Sequence, residues 1–103
     1  MSFDLRQILH LDLIKVPLEG STKREAIDEL CDLICSSPAV TDPDNFRSAV
    51  WDREGQRSTG IGEGLAIPHG KCPGVSEITM AIGRPVEPIP FDAIDGEPVR
   101  LII

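Results

Sequence analysis

Residues 58–71 read STGIGEGLAIPHGK. Gly60, Gly62 and Gly64 alternate, so backbone N–H groups there can come close to a ligand or to another chain segment. Ser58 and Thr59 add hydroxyl donors at the start of the run. Pro68 restricts Ile67 to extended backbone, and Gly70 permits a sharp departure. His69 is therefore expected at the end of a strand, beside a glycine-rich loop. An equally simple reading makes this loop a tight turn whose small residues serve packing. It is no nucleotide fingerprint: GxGxxG fails because positions 65 and 67 are Leu65 and Ile67, and no GK[ST] occurs.

A neutral imidazole is a competent nucleophile toward phosphorus near pH 7. Phosphoryl transfer otherwise asks mainly for positioning and for donors toward the equatorial oxygens. The segment from Ser58 to Gly64 would supply such donors through Ser58, Thr59, Gly60, Gly62 and Gly64. The competing reading of His69 is a hydrogen-bonded structural histidine. His10 has no comparable company and reads as surface. Arg53 lies seven residues after Phe46 and four after Ala49, on the apolar side of a helix. A guanidinium there needs an anionic partner, although a cation in a last helical turn also complements the helix dipole. Cys31, Cys35, His69 and Cys72 form in principle a zinc set of three cysteines and one histidine. Cys31, however, falls on a core stripe and no CxxC pair occurs, so neither a metal nor another cofactor is expected.

Working outward, Val99–Ile103 reads as a strand inside the sheet, and Glu77–Gly83 as a strand with Ile78, Met80 and Ile82 on one face. Asp95-Gly96 between apolar runs is a tight-turn signal. Upstream, Asp42-Pro43 opens a helix with Phe46, Ala49 and Val50 as its stripe and Gly55 as its end. Thr22-Lys23-Arg24-Glu25 is a capping box before Ala26, Ile27, Leu30, Cys31 and Ile34 at helical spacing, and Ser36-Ser37-Pro38 stops that helix. Ile14, Val16 and Leu18 alternate with Lys15, Pro17 and Glu19, a half-buried strand that Pro17 confines to a sheet edge. Asp4 is placed to cap a short turn holding Leu5, Ile8 and Leu9.

The 103 residues make a single domain, 1–103, with 41% hydrophobic and 26% charged residues, a composition that excludes disorder and coiled coil. Ten basic against seventeen acidic residues leave a net charge of −7, which argues against nucleic acid and anionic membranes and for a partner with a basic patch. No stretch reaches the ~20 apolar residues of a membrane span, and the acidic N-terminal segment reads as no signal peptide. Three cysteines fit a reducing cytoplasm better than a disulfide framework. The run Leu101-Ile102-Ile103 leaves apolar side chains for something else to cover, either further chain or a second copy meeting an uncovered C-terminal edge.

Taken together, Arg53-Glu54, Ser58-Thr59-Gly60-Ile61-Gly62, Ala66-Ile67-Pro68-His69-Gly70-Lys71, and Phe91-Asp92-Ala93-Ile94-Asp95-Gly96 with Pro98-Val99 resemble the enzyme IIA domains of the mannitol/fructose class. These belong to the bacterial phosphoenolpyruvate-dependent phosphotransferase system. The stand-alone nitrogen-regulatory enzyme IIA is the nearest likeness within that class. The resemblance runs through the whole chain in element order. It implies an α/β fold with a mixed sheet flanked by helices, and further helices and a second histidine beyond the point where this chain stops. It implies that His69 takes phosphate from a histidine-containing phosphocarrier protein and that Arg53 steadies the phosphohistidine. It leaves two roles open: a regulatory module of the nitrogen type, or a sugar-import step passing phosphate to a cysteine of an enzyme IIB.

Overall fold

The computed structural model describes Arg6 and residues 8–103. Asp4 and Leu5, expected to open a short turn, lie outside the described residues. After a 3-10 turn at Leu11–Leu13 come β1 (Ile14–Leu18), α1 (Lys23–Ile34), α2 (Pro43–Gln56), β2 (Gly60–Gly62), β3 (Leu65–Ala66), β4 (Ile82–Pro85) and β5 (Leu101–Ile102). The five strands form one mixed sheet in the order β1-β4-β5-β3-β2. β1 runs parallel to β4 and β3 parallel to β5, while β4–β5 and β2–β3 are antiparallel. Both helices share one apolar core with the sheet.

Local chemistry explains the helix starts. The Thr22 hydroxyl accepts from the Glu25 N–H at 3.2 Å, while Glu25 Oε1 reaches back to the Ser21 N–H at 3.0 Å. Asp42 accepts from the Asn45 N–H at 3.2 Å, with Pro43 as the first helical residue. Side chains then lock the helices together: Trp51 Nε1 donates to Asp28 at 3.0 Å, and Arg47 pairs with Asp32. Glu29 ties α1 to the end of β1 by accepting from the Glu19 and Gly20 N–H groups and from Lys15 Nζ.

Three expectations need correction. In β1 only Leu18 is buried, whereas Ile14 and Val16 face outward. The cause is a register shift between Lys15 and Leu18, which adds one residue on the β1 side and turns Leu18 to the core. The strand expected over Glu77–Gly83 is displaced to Ile82–Pro85, and Ile78 is exposed. The inward positions are Ala81, Gly83 and Pro85. Leu18 and Leu30 fill the space in front of Gly83, leaving a Cβ there only 2.8–2.9 Å from their methyl carbons, so β4 must offer small residues to the core. Lastly, the C-terminal strand lies inside the sheet as expected, but it is shorter than Val99–Ile103 and presents no edge for a second copy to meet. β5 covers Leu101–Ile102 and lies between β4 and β3, so its backbone is paired on both sides. Ile102 is buried and Ile103 half-buried, and both help line an apolar groove of about 440 Å³ between the helices and the sheet. The turn at Asp95-Gly96 is as expected, closed by Gly96 N–H to Ala93 C=O at 2.9 Å.

Candidate active site

Glu63 and Gly64 both have positive φ, 56° and 81°, and they make the tight turn that folds β2 onto β3. The Ile67 N–H extends that ladder by donating to the Thr59 carbonyl at 3.0 Å. Pro68 follows with no N–H to offer. His69 then emerges exposed, its Nδ1 2.8 Å from the Ile67 carbonyl. A carbonyl only accepts, so this contact requires a proton on Nδ1 and leaves the lone pair of the neutral ring on Nε2.

Gly70 presses on α2. A Cβ there would stand 2.9 Å from the Val50 amide nitrogen and 3.1 Å from the Ala49 carbonyl carbon. Arg53 lies one turn further along the same helix. It is half-buried and donates from Nη1 to the Arg57 carbonyl at 2.8 Å, directly ahead of Ser58. The expectation that Arg53 occupies the apolar face is corrected: the buried line of α2 is Phe46, Val50 and Glu54, and Arg53 sits at its rim.

The Ser58–Gly64 segment has spent most of its donors internally. The Ser58 hydroxyl donates to the Phe91 carbonyl, and Ser58 Oγ accepts the Gly60 N–H at 3.0 Å. Thr59 gives its N–H and its hydroxyl to Glu54, at 3.0 and 2.6 Å. The Glu63 N–H goes to Asp95 at 2.8 Å. Gly60 itself packs on Ala93, where a Cβ would come within 2.8 Å of the alanine methyl. Ser58, Thr59 and Gly60 are therefore held by the fold around them, and the hydroxyls of Ser58 and Thr59 are not free donors.

Glu54, which enters the sequence reading only as the neighbour of Arg53 in the Arg53-Glu54 motif, carries a role of its own here. It is 6% exposed, and Lys23 Nζ lies 2.8 Å from its carboxylate. Burial pushes its carboxyl up, but Lys23 and the two Thr59 donors outweigh that, so it sits below the usual carboxylate range. Lys23 also stands 5.0 Å from the centre of the Phe91 ring, which links the Phe91–Gly96 motif to the same cluster. The four-residue spacing of Phe46, Val50 and Glu54 was the available signal.

The zinc reading does not survive. Among the described residues no three His, Cys, Asp or Glu side chains gather as metal ligands. Cys31 is buried, and burial above all pushes its thiol up to about 11, the behaviour of a core residue. His10 is exposed, as expected. No helix among the described residues is long and apolar enough to cross a membrane.

Residues 7–103 match the family model described as "Phosphoenolpyruvate-dependent sugar phosphotransferase system, EIIA 2". The chain belongs to this family. It is 40% identical over 99 residues to the "PTS system fructose-specific EIIA component" of Haloferax volcanii, covering 96% of this chain and 64% of that one. The crystal structure of nitrogen regulatory protein IIA-Ntr from Neisseria meningitidis superposes with a TM-score of 0.85 at 36% identity, over 95% of this chain and 66% of that one. IIAMTL of Escherichia coli, in its complex with phosphorylated enzyme IIBMTL, gives a TM-score of 0.80 at 25% identity, over 91% and 66%. The EIIA chain thus spans about two thirds of the length of these relatives.

Proposed function

We propose that the protein is a phosphoryl carrier that accepts phosphate on His69 from a histidine-containing phosphocarrier protein. The observation that carries this reading is the Nδ1 contact to the Ile67 carbonyl, which leaves Nε2 of an exposed ring as the nucleophile. Nε2 gives its lone pair to phosphorus while the bond from phosphorus to the donor's ring nitrogen breaks and its electron pair returns to that ring. Arg53 is the cation for the developing phosphoryl charge. To reach it, the guanidinium exchanges its hydrogen bond to the neutral Arg57 carbonyl for a stronger, charge-assisted one. The Ser58–Gly64 hairpin supports the ring, and Gly62 and Gly64 leave room for the incoming partner.

Within this function we place the chain in a regulatory branch of the nitrogen type, acting in the cytoplasm, in keeping with its likeness to IIA-Ntr. A second reading, a sugar-import EIIA passing phosphate to a cysteine of an enzyme IIB, draws on the fructose-specific relative and on the IIA–IIB complex. Self-association through the apolar groove that Ile102 and Ile103 help line belongs to the same proposal. Incubation with phosphoenolpyruvate and the general phosphotransferase proteins tests the core of it. An acid-labile phosphate is expected on the wild type and absent from His69→Ala; label persisting in that variant defeats the assignment. Onward transfer to an enzyme IIB cysteine decides for the import branch.

A further inference from the structure

We propose that Glu54 is a positioning residue for His69, acting through Thr59 and Ile67; the proposal deepens the phosphohistidine reading and rests on it. A carboxylate as buried as Glu54 is costly unless every oxygen is met by a donor. Its donors are three: Lys23 Nζ at 2.8 Å, the Thr59 N–H at 3.0 Å and the Thr59 hydroxyl at 2.6 Å. Two of these belong to one residue, so the carboxylate grips Thr59 by backbone and side chain together. The opposite side of Thr59 offers its carbonyl, and this accepts the Ile67 N–H at 3.0 Å. The Ile67 carbonyl in turn accepts the Nδ1 proton of His69 at 2.8 Å.

Glu54, Thr59, Ile67 and His69 thus form one chain of hydrogen bonds running from a buried ion pair to an exposed ring. Each link has a fixed donor and a fixed acceptor. The last link selects the tautomer that keeps Nε2 free. A purely structural ion pair would stabilise the fold and leave the tautomer of His69 where it is; a positioning residue changes the tautomer as well.

The test reads the ring directly in unphosphorylated protein. Nitrogen-15 spectra of the two imidazoles, taken where both rings are neutral, report the tautomer of His69, with exposed His10 as internal reference. The wild type is expected to show the Nδ1–H form at His69. In Lys23→Met/Glu54→Ala the grip on Thr59 is lost without leaving a half-buried lysine unpaired. There the ratio should move toward Nε2–H by roughly fivefold, the worth of one ordinary hydrogen bond. In Lys23→Met/Glu54→Gln the amide oxygen still accepts from Thr59, and the ratio should stay within about twofold of wild type. A folded alanine variant with the wild-type ratio overturns the proposal, as does an equal shift in both double variants. Should the alanine variant not fold, Thr59→Val decides: a shifted ratio supports the relay and an unchanged one ends it. Because no phosphate enters the measurement, its failure leaves the carrier function untouched, and failure to phosphorylate leaves the relay untouched.

Discussion

Replacing Gly70 with alanine should slow phosphoryl transfer far more than it destabilises the protein. The added Cβ would meet the Val50 amide nitrogen at 2.9 Å, Val50 Cγ2 at 3.0 Å and the Ala49 carbonyl carbon at 3.1 Å. Ordinary contact begins at 3.4 Å, so the closest approach is short by 3.4 − 2.9 = 0.5 Å. Two of the three atoms are helix backbone and cannot give way, whereas the segment around His69 is exposed and can. The loop therefore retreats from α2 and carries His69 away from the turn that bears Arg53. A misplacement of 1 Å costs on the order of 100-fold in rate, and half of that on a logarithmic scale is about tenfold. Overpacking in a rigid core costs roughly 1–3 kcal/mol, and retreat of an exposed loop should hold the loss to the low end of that range. The corresponding fall in Tm is about 4–8 °C. Rapid-quench measurement of phosphate transfer from the phosphocarrier, paired with thermal denaturation, checks both halves. A folded Gly70→Ala protein that accepts phosphate at the wild-type rate would refute the argument that this contact sets the position of His69.

Gly55 lies inside α2 and no atom comes within 4 Å of the Cβ it lacks, so Gly55→Ala should raise stability by about 0.5–1 kcal/mol; calorimetry showing no rise would contradict the local geometry. Glu54 and Glu29 are both held below the usual carboxylate range, against the upward push of burial, by Lys23 with Thr59 and by the Glu19 N–H with Lys15. Groups lowered in this way add stability above the unfolded carboxylate value, near about 4.3, and lose it as pH falls through their folded values. The urea midpoint should therefore be flat between about pH 7 and 5 and fall below about pH 4, with a smaller fall in Lys23→Met/Glu54→Gln; a midpoint constant down to about pH 3 would exclude the linkage.

Much of this protein is written locally. Thr22 with Glu25 and Asp42 with Pro43 announce the two helices, because a cap is satisfied within four residues of chain. Asp95-Gly96 announces its turn for the same reason. The run from Ser58 to Lys71 announces a histidine at the end of an extended segment, since Pro68 and Gly70 act on their immediate neighbours. The remainder depended on what each segment meets. Periodicity in 77–83 counts apolar residues but does not know that Leu18 and Leu30 already fill the space before Gly83, so the inward face fell on the small residues instead. Alternation along β1 does not reveal the register shift against β4 that turns Leu18 alone inward. Hydroxyls at Ser58 and Thr59 look like donors for a ligand until Phe91 and Glu54, distant or buried, are seen to accept from them. Nothing local marks Glu54 as a buried carboxylate. Only tertiary structure brings Lys23 and Thr59 to it, because a buried carboxylate is tolerable solely where the fold supplies its donors.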